Sequence, residues 1–460
     1  RTIMDHSVDP ATARFEFDET GNVADFWEVG GDYEHTFTNG DRWKTLFIVN
    51  RKEDDSERNR FIVDGNDRTK DLFLDNFNRY QERIVRTSYS MDFAQSQAIE
   101  FGVERAQTIL DSTLQLGLLT SSGTPSDRFG GLTPITDTDA TVEEIRYEGF
   151  AVHNWQLNDR MSLESTLIFE KSEISQSGDI TKSRDFNFVR PKVDYRFNLT
   201  PTLQFRATIE KDVAQLNFND FTANIDGSDD ERDAISGNSD LRQEQSWRYE
   251  ANLEYRFDGD NGVINTNVFY HDLEDVIDRV NISTDDSIAS ANANIGDGER
   301  YGMSVDASLR MAVINMPQLL VTSRVQVEDS SVTDPFLGID RRLNRQGRGD
   351  IRFGFRHDMA SAPVNYGLNF NYSLQDNRLA YDVDRIESYN SDPFAVAFFE
   401  YQGIENFIIR LEATNVHESE RCRVRTRYAG GTIATGSISE IENSCSHAGE
   451  KYAIKLRGTF

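Results

Sequence analysis

The chain has 460 residues, of which 28% are charged and 37% hydrophobic, with a mean hydropathy of -0.59 and a formal net charge of -29. It holds no run of roughly 18 apolar residues, which excludes a membrane helix, and its acidity repels phosphate backbones, which excludes nucleic acid as a partner. An aromatic fraction of 11%, with 30 Phe and 16 Tyr, excludes a disordered acidic chain.

The N-terminus, Arg1-Thr2-Ile3-Met4-Asp5-His6, has no basic region followed by an apolar core and so no secretory signal. The sequence is expected to begin partway through its gene product. From there, short turns and long polar stretches alternate. Turns are predicted at Asn39-Gly40, Asn158-Asp159, Thr200-Pro201, Asp258-Gly259, Met316-Pro317, Ala362-Pro363 and Glu405-Asn406. Long loops are predicted at about 52 to 72, 117 to 140, 172 to 184, 217 to 243, 279 to 297, 331 to 349, 375 to 391 and 418 to 449.

Between them lie segments of period two. Trp247, Tyr249, Ala251, Leu253, Tyr255 and Phe257 alternate with Arg248, Glu250, Asn252, Glu254, Arg256 and Asp258. After a Gly-rich turn come Ile264, Thr266, Val268 and Tyr270, then Met303, Val305, Ala307 and Leu309, then Val364, Tyr366, Leu368, Phe370 and Tyr372. The strands are predicted at roughly 10 to 16 residues, long enough to cross a tilted bilayer path. Short turns at one end and long loops at the other follow the outer-membrane rule, so the fold class is all-β, a transmembrane antiparallel β-barrel with about 18 strands in this chain.

The chain closes on a sharp amphipathic strand, with Tyr452, Ile454, Leu456, Gly458 and Phe460 on one face and Lys451, Ala453, Lys455, Arg457 and Thr459 on the other. Just before it lie the only cysteines, Cys422 and Cys445. A lone pair suits an oxidising compartment and reads as one disulfide across a loop. The alternative is two free or metal-binding thiols, although neither CxxC spacing nor a ligand cluster accompanies them.

These residues resemble the TonB-dependent outer-membrane receptors. Asn238-Ser239-Asp240-Leu241-Arg242-Gln243-Glu244-Gln245-Ser246 looks like that family's start to an amphipathic strand, in which Asn238, Leu241 and Glu244 match and Gln243 replaces the usual proline. Val268 to Ile277, then Asn294-Ile295-Gly296 and Arg300-Tyr301-Gly302-Met303, resemble the strands that follow, and Leu411 to Val416, with Asn415, is similar to the penultimate strand. The resemblance covers the second half of the chain by motif and the first half by strand rhythm. It implies a barrel of about 22 strands, of which residues 1–460 would be an N-terminally truncated portion without the plug domain or TonB box. It also implies a function, import of a scarce solute (siderophore, cobalamin, metal chelate or oligosaccharide) with TonB-coupled energy. The implied partners are outer-membrane lipid and lipopolysaccharide, the barrel-assembly machinery, which would read the terminal aromatic, and the TonB complex, in the bacterial outer membrane. A passive porin with a constricting loop folded into its lumen, and a soluble or surface β-protein binding carbohydrate, are the alternatives.

Catalytic patterns are absent: no HExxH, GxSxG or P-loop is present, and Gly296 and Gly298 lack the third glycine of a dinucleotide site. No enzyme and no cofactor are indicated, and seven scattered histidines outline no metal cluster. The acidic runs Asp54-Asp55, Asp229 to Asp233, Asp285-Asp286 and Asp382 to Glu387 read either as divalent-ion sites or as solvated acidic surface. Lys192, Asp194, Arg196, Arg206, Glu210, Arg248, Glu250 and Arg256 read as a hydrated inner wall, while Trp43, Trp155 and Trp247 stand where rings meet lipid headgroups.

Overall fold

The computed structural model describes residues 2–4, 13–222, 224–225, 234–284, 288–374 and 378–458. Among them are 27 strands and five short 3-10 turns, and nineteen of the strands belong to one large antiparallel sheet. Sequential hairpins build it, because a period-two pattern leaves each strand one apolar and one polar face while its backbone pairs on both edges.

The chain divides into two compact units. The first, residues 1–153, 166–190 and 216–241, contains the strands Ala13–Thr36, Arg42–Asp64, Asp67–Ala94 and Gln97–Leu118, each paired to the next. These strands have 22 to 28 residues, well beyond the predicted length. The loop predicted at 52 to 72 is instead a hairpin paired to its tip at Asp64 and Asp67, with Gly65 at φ +59 in the turn. Polar composition was read as loop, but a hairpin ladder needs no apolar face where both sides meet water. Here charged side chains pair between and along strands, as in Arg58 with Asp18 and Lys52 with Asp54. The loop expected at 172 to 184 likewise shrinks to 179–181, and the one at 117 to 140 to 119–132. A turn at Gln95-Ser96 was missed, having no Gly, Pro or Asn to announce it.

The second unit, residues 154–165, 191–215 and 242–460, pairs Leu203–Val213 with Gln245–Phe257, then Gly262–Glu274, Gly298–Met311, Met316–Thr333, Gly349–Asp358, Val364–Ser373, Phe394–Ile404, Phe407–Thr414 and Lys451–Gly458. The turn expected at Met316-Pro317 falls at Ala312–Ile314, where Asn315 takes φ 63. Long loops 375 to 391 and 418 to 449 are not irregular: they carry the strands Arg378–Tyr381, Arg385–Ser391, Glu420–Tyr428 and Ile438–His447, a separate four-stranded sheet. In the last strand Tyr452, Ile454 and Leu456 are 74%, 73% and 68% exposed, opposite Ala413, Leu411 and Ile409, and Gly458 faces Phe407. Phe460 lies outside the described residues.

An exposed apolar row crosses the strands in register. Ile209 pairs with Tyr249, Tyr249 with Tyr270 and Tyr270 with Tyr301, while Val268, Met303 and Val327 form a second row, every one of them exposed. So much exposed hydrocarbon on one face is a surface built for lipid. Trp43 and Trp155 lie near strand ends and are exposed, and Trp247 is the third residue of its strand.

In the first unit the apolar face changes side along a strand. In Gln97–Leu118, Phe101 and Val103 are exposed on odd positions, whereas Ala106, Leu110, Leu114, Leu116 and Leu118 are buried on even ones, and the register to Asp67–Ala94 is unbroken between them. The turn-side half is therefore apolar outward and the loop-side half apolar inward.

Candidate functional site

The loop-side ends hold the side chains that chemistry could use. In the second unit four loops are tied by arginine and carboxylate contacts. Arg341, which is buried, donates to Asp334 at 2.8 Å and to Asp278 at 3.0 Å. Asn344 donates to Asp278 and to the Tyr381 carbonyl and accepts from the Tyr381 amide at 2.8 Å. Burial raises the Tyr381 hydroxyl above its ordinary pKa. Arg279 lies 3.7 Å from Asp382.

In the four-stranded loop sheet, Arg421, Arg423, Arg425 and Arg427 occupy alternate positions and so share a face. Arg425 is 0% exposed, donating to Glu387 at 2.7 Å and to Glu442 at 3.2 Å, and Arg427 donates to Asp384. Arg385 donates to Asp384 at 2.9 Å. The carboxylates of Asp382, Asp384 and Glu387 in the acidic run are thus engaged by arginines. Cys422 and Cys445 stand opposite each other in this sheet and are disulfide-bonded.

Sequence reasoning missed these arginines. Arg-x-Arg-x-Arg-x-Arg from 421 to 427 is a period-two pattern inside a stretch read as loop, and that alternation was the available signal. Of the other acidic runs, Asp54 lies 2.6 Å from Lys52 within a strand, while Asp229 to Asp233 and Asp285-Asp286 lie outside the described residues.

The motif residues sit where strands become loops. Asn294 donates to the carbonyls of Arg242 and Asp275 and accepts from the Arg242 amide at 2.8 Å, clamping two backbone segments. Glu244 accepts from the Ile277 amide at 3.3 Å, and burial raises its pKa above the ordinary glutamate value. Gly296, at φ +112, accepts from the Val276 amide. Gly302 is packed so that a Cβ would fall 2.4 Å from the Val327 carbonyl oxygen. Asn415, buried and at φ 60, donates to the Gly449 carbonyl and accepts from the Ser419 amide and hydroxyl. In the first unit, the Asn238 side chain accepts from the Asp240 amide, and the carbonyl of the fully buried Leu241 accepts from Arg184 at 2.6 Å. Glu244, Asn294 and Gly296 come together; Gly302, Asn415 and the cysteines lie apart from them along the second unit.

The polar face of the second unit's sheet carries the residues read as an inner wall. Arg248 pairs with Asp212, Lys192 lies 3.8 Å from Glu210, Arg206 3.5 Å from Asp194, and His271 3.7 Å from Glu250. The same face holds a cavity of about 610 Å³ lined by Asn265, Asp306, Arg324, Arg352, Asn369 and Asn371. Gly354 forms its floor, where a Cβ would come within 2.9 Å of the Thr322 hydroxyl.

In the first unit the loop that follows Val213 folds onto the buried face. Tyr80 donates to Asn219 at 2.8 Å and Gln176 to the Phe221 carbonyl at 3.0 Å, from the strand faces opposite the exposed Val85 and Phe169 of the same strands. Phe218, Phe221 and Leu216 are buried there.

The family model described as TonB dependent receptor-like, beta-barrel matches residues 5–416. Among solved structures, the chain is similar to the ferric yersiniabactin uptake receptor FyuA from Yersinia pestis, at 14% identity and a TM-score of 0.65, over 99% of this chain and 63% of that one. It is similar to the pyoverdine outer membrane receptor FpvA from Pseudomonas aeruginosa PAO1 at 11% identity and a TM-score of 0.59, over 97% and 62%, and to the copper transporter OprC at 12% identity and 0.62, over 97% and 72%. At these identities the likeness is one of fold, and the chain spans less than two thirds of the length of FyuA and FpvA. No curated protein matches the sequence.

Proposed function

This chain belongs to the TonB-dependent receptor β-barrel family, whose members are Gram-negative outer-membrane receptors and transporters rather than enzymes, and on that premise we propose that it forms the wall and capture face of an importer for a scarce solute. The observation that carries the reading is the joining of four loops of the second unit: Arg341 reaches Asp278, Asn344 and Arg279 reach Tyr381 and Asp382, and Arg425 reaches Glu387. Loops held in one arrangement before a ligand arrives bind it without a large ordering cost. FyuA and FpvA are named for ferric yersiniabactin and pyoverdine and OprC for copper, so a siderophore or metal chelate is the first class to try, ahead of cobalamin and oligosaccharide.

TonB would supply the energy through the rest of the gene product, the assembly machinery would read the terminal aromatic Phe460, and lipopolysaccharide would surround the loop side. Deleting the gene and measuring uptake of labelled ferric chelates under iron limitation is the test, with and without a functional TonB complex. Uptake that is lost on deleting this gene, and lost equally without TonB whether or not the gene is present, supports the reading; unchanged uptake of every solute tried in the mutant would sink it. The inward-folded segment around Phe218 and Phe221 favours a second reading, a pore constricted by its own loop. Uptake that survives loss of TonB and saturates poorly would select it.

A further inference from the structure

The exposed apolar surface of the first unit is not level. A trench of about 560 Å³ runs between Trp43, Tyr89 and Phe101 on one side and Leu167 and Phe169 on the other. Its floor is low because Gly149 and Ala151 stand among large neighbours: Phe101, Val103 and Phe169 are 46%, 58% and 56% exposed. A Cβ added at Gly149 would meet nothing within 4 Å, so the glycine is not there to relieve a clash; it leaves space open.

The polar side chains on the exposed wall of the trench, Trp43, Thr87 and Tyr89, already have partners. Trp43 Nε1 donates to the Thr87 hydroxyl at 2.8 Å, the hydroxyls of Thr45 and Thr87 lie 2.9 Å apart, and the Tyr89 hydroxyl donates to Asp41 at 2.5 Å. An occupant therefore has no hydrogen bond to supply, and hydrocarbon satisfies the site fully. Position along the strand sets which hydrocarbon. Trp43 is the second residue after the tight turn that ends at Asp41, so the trench opens at the turn side of the apolar belt, where indole and phenol rings lie at headgroup level.

We propose that this trench holds one acyl chain of a phospholipid from the leaflet at the turn side, kept as a resident lipid while its neighbours exchange. A second copy of the chain is the other candidate. The site fits it less well, because a second copy presents the same large side chains, whereas the trench admits a single flexible chain and is continuous with the exposed apolar surface of the strands around it. Filling the trench with a well-packed chain adds dispersion contacts that bulk lipid cannot make on a level wall.

Gly149→Leu tests the inference, since the open space accepts the new side chain without strain on the fold. The full-length gene product, extracted in mild detergent and washed, is weighed by native mass spectrometry alongside this variant and a control, Tyr249→Leu, in the apolar row of the second unit. We expect one phospholipid retained by the parent and by the control and none by Gly149→Leu, with strand content by circular dichroism equal in all three. Three outcomes would overturn the proposal: no lipid retained by the parent, lipid retained equally by Gly149→Leu, or a dimeric parent that Gly149→Leu converts to monomer.

Discussion

The loop-side ends of the two units solve one problem with different chemistry. The first buries mainly hydrocarbon: Leu110, Leu114, Leu116 and Val142 are at most 2% exposed, loop residues Phe129 and Leu132 pack on Phe73, and Phe218 and Phe221 are buried, beside one buried ion pair, Arg60 with Asp71. The second buries more charge: Arg425 is 0% exposed, and Glu387, Arg385, Arg341, Asp278 and Asp334 are each buried, beside a smaller apolar cluster of Leu273, Val276 and Val332. Hydrocarbon packing is non-directional and tolerates exchange for another apolar side chain of like volume. A buried ion pair is directional and depends on both members, so removing one costs more than the pair itself contributes. The first end is held mainly by packing, the second mainly by paired charge.

Breaking the ionic side should have the largest effect. Arg425→Met, which takes from Glu387 and Glu442 the buried guanidinium that joins them while Tyr389 still donates to Glu387 and Arg423 to Glu442, is expected to cost up to about 5 kcal/mol locally. Amide exchange should quicken across Arg385–Ser391 and Glu420–Tyr428, and adding Glu387→Leu should restore much of the loss. Exchange as slow as in the parent would mean that the network does not hold the loops. On the apolar side, Leu114→Ala should cost about 2 to 5 kcal/mol by opening a cavity, with faster exchange confined to the first unit; spread into Arg385–Ser391 would break the comparison.

Smaller is Asn294→Ala, expected at about 0.5 to 1.5 kcal/mol because the backbone groups of Arg242 and Asp275 lose their side-chain hydrogen bonds, and visible as protease nicking near 242 and 275. Smallest is a pH effect at Glu244. Its folded-state pKa is raised by burial, so its contribution is full below the ordinary glutamate value and fades as pH rises through the raised one. Glu244→Gln keeps an oxygen for the Ile277 amide and cannot ionise. Its melting temperature should therefore match the parent in acid and fall less than the parent's across that window; parallel curves would count against a buried Glu244.

Much of the sheet was legible beforehand. Tyr249, Leu253, Tyr255, Val268 and Tyr270 stand on alternate positions because lipid meets only one face, and turns such as Asn39-Gly40 and Thr200-Pro201 carry residues suited to tight reversal. Gln95-Ser96 escaped because its residue types favour no turn. Strand lengths escaped because charged residues at 52 to 64 pair along a ladder as readily as they coat a loop. The site was the least legible: Asn294, Gly296 and Asn415 were recognised by resemblance, but Arg341 reaching Asp278, 63 positions away, leaves no local trace.

Period, turn chemistry and the cationic face of the final strand are local properties, written in residues two or three apart, and residue order alone set them. Which face of Gln97–Leu118 meets lipid at one end and packs inward at the other depended on where the loops came to lie, as did the partners of Arg425. Hydrocarbon and charge are both buried only when distant segments arrive together, and no short window of sequence contains that meeting.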